Sequence, residues 1–329
     1  MSGFLEIKRT MGCKIEGTPY VQETLAATDY NVAAYNINYD PEVAMYARKL
    51  ARGDASPDLQ IPGTQKIKIT FEVDVCVGTN VYTPPNYWKC LRACGLRQTI
   101  YNTTGCALIP HSGYFNVPMT IEVVEMDEGI SPLQVVVAAR GCMGTAKFVG
   151  GGVGLPKKIQ FDFTGVLVGV NERSFANQIM PTGWDQALPQ AVLACTTSLY
   201  GVSQMFDKLT LDVGNKLEVW KDPTKGQGFE GTRIIDRTPT LELDPALRPV
   251  STQDMYGNFL GLGSSPGAYS ETIGSSTTGI SLTITAPKCQ VIQSNKPGKR
   301  EGRVTNEVKC LLSRNLGNDE FMILQGAIS

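Results

Sequence analysis

The residues able to do chemistry are few and poorly placed for it. The chain holds one histidine, His111, so any Ser-His-Asp or Cys-His arrangement would have to run through it. His111 follows Pro110 in a loop-like stretch with no nucleophile motif around it. Glu125, Asp127 and Glu128 lie close together, but carboxylate spacing along a chain is nonspecific, and a solvated acidic turn is the simpler reading. The cluster Gly150-Gly151-Gly152-Val153-Gly154 lacks the Lys-Ser/Thr pair that would hold a nucleotide phosphate and its metal, so it reads as a hairpin loop. Nine cysteines run from Cys13 to Cys310 without the spacing of a small disulfide framework, and read as reduced, packed thiols. Cys90 and Cys94 sit four apart, on one face of a predicted helix, but a closed metal site needs a second ligand pair that the sequence does not offer. The expectation is a protein with no catalytic site, no metal and no cofactor.

The totals narrow the remaining classes. At 329 residues, 42% hydrophobic and 19% charged, the chain can bury a large core and has the composition of a globular protein. Thirty Lys plus Arg stand against 31 Asp plus Glu, which leaves no bulk positive charge to grip a phosphate backbone. Aromatic residues are not interleaved with Lys and Arg, so a single-strand stacking platform is not indicated. The first residues, from Met1 to Arg9, lack an apolar signal core, and no run approaches the ~20 apolar residues of a membrane span. A soluble protein made in the cytoplasm, with no membrane partner, is expected.

The elements that must position any functional residue are strands. Residues 66–74 place Ile67, Ile69, Phe71 and Val73 on one face and polar groups on the other. The same alternation recurs over 159–164, 209–213, 240–244, 280–285 and 303–310. One-sided alternation of this kind means antiparallel sheet with one face on a core and one wet. Gly- and Pro-rich stretches at 150–154, 223–231 and 264–279 read as loops between strands. The clearest helix covers 86–94, entered through Pro84-Pro85 and ended by Gly95.

The two halves follow one order. In the first, extended residues 34–49 lead through a polar loop (51–65) into the strand at 66–74; later, 133–140, the glycine loop and 157–167 follow. In the second, 209–221, a loop at 222–231 and a strand region at 232–244 are followed by 281–287, a predicted loop at 294–302 and 303–312. A period of about 150 residues is too long for a solenoid and predicts a duplicated domain, 1–180 and 181–329, with the boundary near 175–199.

Specific residues resemble phage tail tube proteins. The first half offers Tyr46-Ala47-Arg48-Lys49-Leu50-Ala51-Arg52-Gly53, the strand through Asp74, and Pro84-Pro85-Asn86-Tyr87-Trp88-Lys89-Cys90-Leu91-Arg92-Ala93-Cys94-Gly95. The most specific match pairs Leu211-Asp212-Val213-Gly214-Asn215 with Asp236-Arg237-Thr238-Pro239. Phe161-Asp162-Phe163-Thr164-Gly165 is also similar, whereas 102–116 lies outside the match. The resemblance implies a mainly β fold, with barrel-forming antiparallel sheets, a β-sandwich and short flanking helices. It further implies a virion protein, assembled in the host cytoplasm, that self-assembles into stacked rings forming the tail tube, the conduit for DNA ejection. Partners would be further copies of the chain, a tape-measure protein and other tail proteins, with DNA passing through the lumen without specific binding.

Joining strand edges between subunits removes the edges that make a lone sheet prone to aggregate, and two domains per chain favour a trimeric, pseudo-hexameric ring over six identical chains. The loops 51–65 and 222–231 would connect successive rings. Glu72, Asp74, Asp162, Glu242, Asp244 and Glu307 lie on polar strand faces and are the candidate acidic lining of a lumen that repels phosphate, with Lys66 and Lys68 on the face of Glu72. The alternatives are a tail terminator or distal tail protein on a related fold, and a carbohydrate-binding β-sandwich module. The last would need clustered exposed aromatics, whereas Trp88, Trp184 and Trp220 are far apart in sequence.

Overall fold

A computed structural model describes residues 4–48, 59–101, 105–127, 133–150, 154–174, 182, 183, 189, 195–203, 206, 208–261, 266–274, 279–300 and 302–327. Strand accounts for 61% and helix for 6%, which makes the fold mainly β as the alternation predicts. Among the described residues, sixteen strands join one sheet and two more, β12 (Asn215–Lys221) and β13 (Phe229–Arg237), form a separate hairpin.

Strand pairing repeats along the chain. The first half runs β2 (Ala34–Tyr46), β3 (Ile61–Asp74), β8 (Lys158–Arg173), β7 (Gln134–Gly150), β6 (Met119–Asp127), β1 (Phe4–Ile15), each antiparallel to the next. The second runs β11 (Leu209–Asp212), β14 (Thr240–Leu243), β17 (Arg303–Leu312), β16 (Ile280–Arg300), β15 (Gly267–Gly274), β9 (Thr196–Leu199) in the same manner. The short β10 (Val202–Ser203) extends β9. A short helix follows the opening hairpin in each half, α1 (Trp88–Ala93) and α2 (Met255–Phe259).

The halves are not separated by a gap in the sheet. Between β7 and β11, Lys147 stands opposite Asp212 and Gly150 opposite Leu209. One hydrophobic core also spans them. Phe71, Phe161 and Phe163 stack with ring centroids 5.0 to 5.9 Å apart, and belong to the cluster that holds Trp88, Leu211, Leu241 and Cys310. Burying an aliphatic or aromatic side chain of this size contributes about 1.5–3 kcal/mol, so the inward residues of both halves stabilise one another.

A second bridge comes from the region outside the resemblance. β4 (Leu96–Tyr101) and β5 (Gly105–Pro110) form a hairpin, and β5 pairs with the last strand, β18 (Met322–Ala327), which in turn pairs with β16. The buried Gln325 side chain fixes this junction. Its Oε1 accepts from Gly78 N at 2.8 Å and its Nε2 donates to the carbonyls of Asn80 and Thr83 at 2.8 and 2.9 Å.

Helix α1 buries Trp88, Cys90, Leu91 and Ala93 and stops at Gly95, whose φ of +81° breaks the helical repeat. Eight of the nine cysteines are buried and Cys195 is half-buried, so they serve as packing groups. Cys90 Sγ lies 3.7 Å from Cys13 Sγ.

Two predicted loops prove to be strand. Residues 294–300 continue β16 and pair with β17, the turn falling at Gly302. Within 264–279, β15 alternates buried Tyr269, Glu271 and Ile273 with half-buried neighbours. Its small polar residues read as loop because no local signal marks which of them face a partner sheet.

Candidate functional site

The polar positions of β3, β8, β7, β11, β14 and β17 build the site. Since side chains alternate across a strand, the register that buries Ile69, Phe71 and Val73 turns Lys68, Thr70, Glu72 and Asp74 to the other face. Across the pair β3–β8, Thr70 stands opposite Asp162, Glu72 opposite Gln160 and Asp74 opposite Lys158. β7 adds Thr145 and Lys147 opposite Asp162 and Gln160. In the second half Thr210 stands opposite Glu242, and Glu242 opposite Lys309.

This face holds two corresponding recesses. One, of about 510 Å³, is lined by Glu72, Asp162, Lys147 and Asp212 among others. The other, of about 350 Å³, is lined by Lys208, Thr210, Glu242, Asp244, Glu307 and Lys309. Of the six acidic residues singled out in the sequence, Glu72 and Asp162 therefore meet at the first, with Asp74 beside them. Glu242, Asp244 and Glu307 meet at the second.

Most of these acids have a cationic or hydrogen-bonding partner. Lys68 reaches Asp162 at 2.9 Å, Lys147 reaches Asp212 at 3.1 Å, Lys309 reaches Glu242 at 2.6 Å, and Lys158 lies 3.7 Å from Glu72. Gln160 Nε2 and Asn36 Nδ2 also donate to Glu72, at 3.0 and 3.1 Å. Tyr35 OH donates to Asp74 at 2.6 Å, and burial together with that carboxylate raises the phenol's pKa. The Lys208 N–H donates to Asp244 at 2.7 Å. The Lys68 ammonium is held above its ordinary pKa by its hydrogen bond to Asp162. The face is a ladder of alternating charge; Lys68 lies on it as the alternation predicts, and Lys147, Lys158 and Lys309 add to it. Lys147 and Lys158 join the face through cross-strand register, which is not a local property.

Two strand edges complete the site. Among the described residues, β2 pairs on one side only, with β3, and residues 290–300 of β16 pair on one side only, with β17. These are the positions that β11 and the end of β7 hold in the other half, where the two edges are joined to each other. The β7–β11 joint is reinforced by Val213 N donating to Ala146 O at 2.9 Å, and by Asn215 Nδ2 donating to Gly144 O at 2.8 Å and to Cys94 O at 2.7 Å.

The remaining residues with chemical potential do not converge. His111 accepts from Gly113 N through Nδ1 at 3.1 Å and caps a single turn. Among the described residues, no group of three or more His, Cys, Asp or Glu is placed to hold a metal ion, and no helix is long and apolar enough to cross a membrane. Trp88 is buried and Trp220 stacks under Arg233 at 3.4 Å, while Trp184 lies outside the described residues. The loop 222–228 lies on its own chain, with Gln227 O accepting from Gln65 N at 3.1 Å; residues 51–58 lie outside the described residues. No protein-family model matches the chain, and no curated protein matches it.

Proposed function

We propose that the chain is a structural subunit that closes into rings through its sheet edges and stacks into the tube of a phage tail. The observation that carries this reading is the β7–β11 joint. There a strand of one half pairs with a strand of the other, and among the described residues the chain repeats the donor edge on β2 and the acceptor edge on β16 without a partner.

An open strand edge is a template for another strand, and a head-to-tail contact that closes gives a ring. Joining β2 of one copy to β16 of the next continues the inner sheet from chain to chain. With two tandem tube-like domains per chain, the ring closes with three chains and pseudo-sixfold symmetry.

The charged face then lines the lumen. Glu72, Asp74, Asp162, Glu242, Asp244 and Glu307 deny DNA a cationic surface, and Lys68, Lys147, Lys158 and Lys309 beside them are each paired with a carboxylate, so the face offers phosphate little to hold it. On this reading the chain does mechanical and not catalytic work, in a virion, around a tape-measure protein and then around DNA.

Native mass spectrometry of the purified full chain tests the reading. Species built from multiples of three 35.6 kDa chains are expected; a chain that stays single at every concentration would overturn it.

A further inference from the structure

The β12–β13 hairpin shows what an arm of this fold does when it has a seat. Arg140, nearly buried on β7, donates to the carbonyls of Tyr20 at 2.8 Å, Glu230 at 2.7 Å and Phe229 at 3.3 Å. Gly231 packs so closely on the Tyr20 ring that a Cβ would lie 2.0 Å from it. Ile234 N donates to Phe115 O at 3.4 Å. Seated this way, Phe229, Thr232 and Ile234 are buried. The arm of the second half thus lies across the first half of the same chain.

The β2–β3 hairpin is the same arm in the first half, since β2 and β3 hold the places of β11–β12 and β13–β14 in the pairing order. Beyond Thr64 and Gln65, which the 222–228 loop touches, its far end is exposed among the described residues. Met45 is 56% exposed, Tyr46 59%, Ile61 52% and Leu59 90%. Apolar groups grouped at the end of an arm mark a contact surface more strongly than the same residues scattered singly.

The corresponding place on the second half is covered only in part: Ser112 N and Oγ donate to Asn318 Oδ1 at 2.9 and 2.7 Å and Arg237 pairs with Glu320, while Leu316 beside them stays exposed. The seat of β12–β13 is the middle of β7 beside β8, which answers to the middle of β16 beside the end of β17 and the loop after it. That loop is a built feature. The Asp319 carboxylate accepts N–H groups from Asn315 at 2.9 Å, Leu316 at 2.8 Å and Gly317 at 3.0 Å, and presents Leu316 with 92% of its surface exposed. Leu59 and Leu316 are the two most exposed large apolar side chains among those described.

We propose that the β2–β3 arm of one copy seats Tyr46, Leu59 and Ile61, which share one face, on the second half of the adjacent copy in the same ring, across β16–β17 and the Leu316 loop. The occupant is a second copy of this chain, because the chain already supplies the matched arm and seat once within itself. The inference rests on the ring reading and adds to it a second contact, lateral to the strand-edge joint and made of side chains.

Cross-linking of the full chain tests it. A Leu59→Cys/Leu316→Cys double variant treated with a short bismaleimide is expected to give covalent dimers and closed trimers on a denaturing gel. Neither single variant should do so above the background of the native thiols. Leu59→Asp and Leu316→Asp, each on an exposed position, are expected to weaken assembly at least tenfold while leaving the melting temperature of the unassembled chain unchanged. Wild-type rings with no cross-link, and with the Asp variants assembling as well as wild type, would overturn the arm contact and leave the ring reading standing. Cross-links that appear only in stacked tubes and vanish in isolated rings would likewise overturn it, placing the arm between rings. A wild-type chain that never assembles would overturn both.

Discussion

Lys157 and Glu271 form an ion pair sealed inside the protein: Nζ lies 2.5 Å from both carboxylate oxygens, and the two side chains are 1% and 0% exposed. Tyr269 OH adds a third hydrogen bond to Glu271 at 3.0 Å. Lys157 leads into β8 of the first half and Glu271 sits on β15 of the second, so the pair fastens the two halves where no solvent can compete. Taking two charges out of water is expensive, and the attraction offsets that cost only while both partners are present.

Removing one partner should therefore hurt more than removing both. Glu271→Ala or Lys157→Ala is expected to lower unfolding stability by about 3–5 kcal/mol, whereas Lys157→Met/Glu271→Leu should lose less than either single change. Urea unfolding of the four proteins checks the order; a double variant worse than both singles would contradict it.

Gln325→Leu removes the side chain that satisfies Gly78 N, Asn80 O and Thr83 O. Leaving buried backbone groups unpaired costs about 1–3 kcal/mol. Hydrogen exchange should speed up first in β18 and the β4–β5 hairpin, with β3 and β8 still protected.

The charged face should tolerate substitution without unfolding, because exposed pairs contribute only ~0–1 kcal/mol each. Glu72→Lys/Asp162→Lys/Glu242→Lys is expected to fold and assemble, yet to retain duplex DNA on a filter at low salt and release it as salt rises. The wild-type chain should retain none. DNA binding equal in the two proteins would remove the role given to these carboxylates.

Alkaline pH should loosen the core. Burial pushes the Cys106 thiol from its ordinary 9.0 up to about 11 and the Cys310 thiol up to about 12. A raised folded-state pKa means the thiols' contribution is complete below pH 9 and is lost as pH rises through 11 to 12. The urea midpoint should be flat from pH 7 to 8.5 and fall above 9, less steeply in Cys106→Ala. A midpoint that rises over that range would contradict the burial of these thiols.

Much of the sheet was legible because its signal is local. Ile67, Ile69, Phe71 and Val73 alternate with polar neighbours, and all four are buried on β3. The helix at 86–94 was legible from Pro85 and Gly95, and α1 occupies Trp88–Ala93 within it. β15 was not, because its buried Glu271 finds its partner 114 residues away. Nor was β18, whose Gln325 reads as a surface residue until the 78–83 turn is folded over it. Lys157 opens the 157–167 stretch beside Pro156 and Lys158, and nothing local marks it as buried. Among the candidate site residues, that Glu72, Asp162 and Glu242 share polar strand faces follows from period two, but which lysine neutralises each depends on register between distant strands.

The most direct test of the account is negative-stain electron microscopy of the purified full chain at high concentration. Rings of one uniform diameter, with threefold symmetry in class averages and stacks of such rings into tubes, are the predicted result. A field of single, separate particles with neither rings nor tubes would contradict the central claim that the open β2 and β16 edges join one chain to the next.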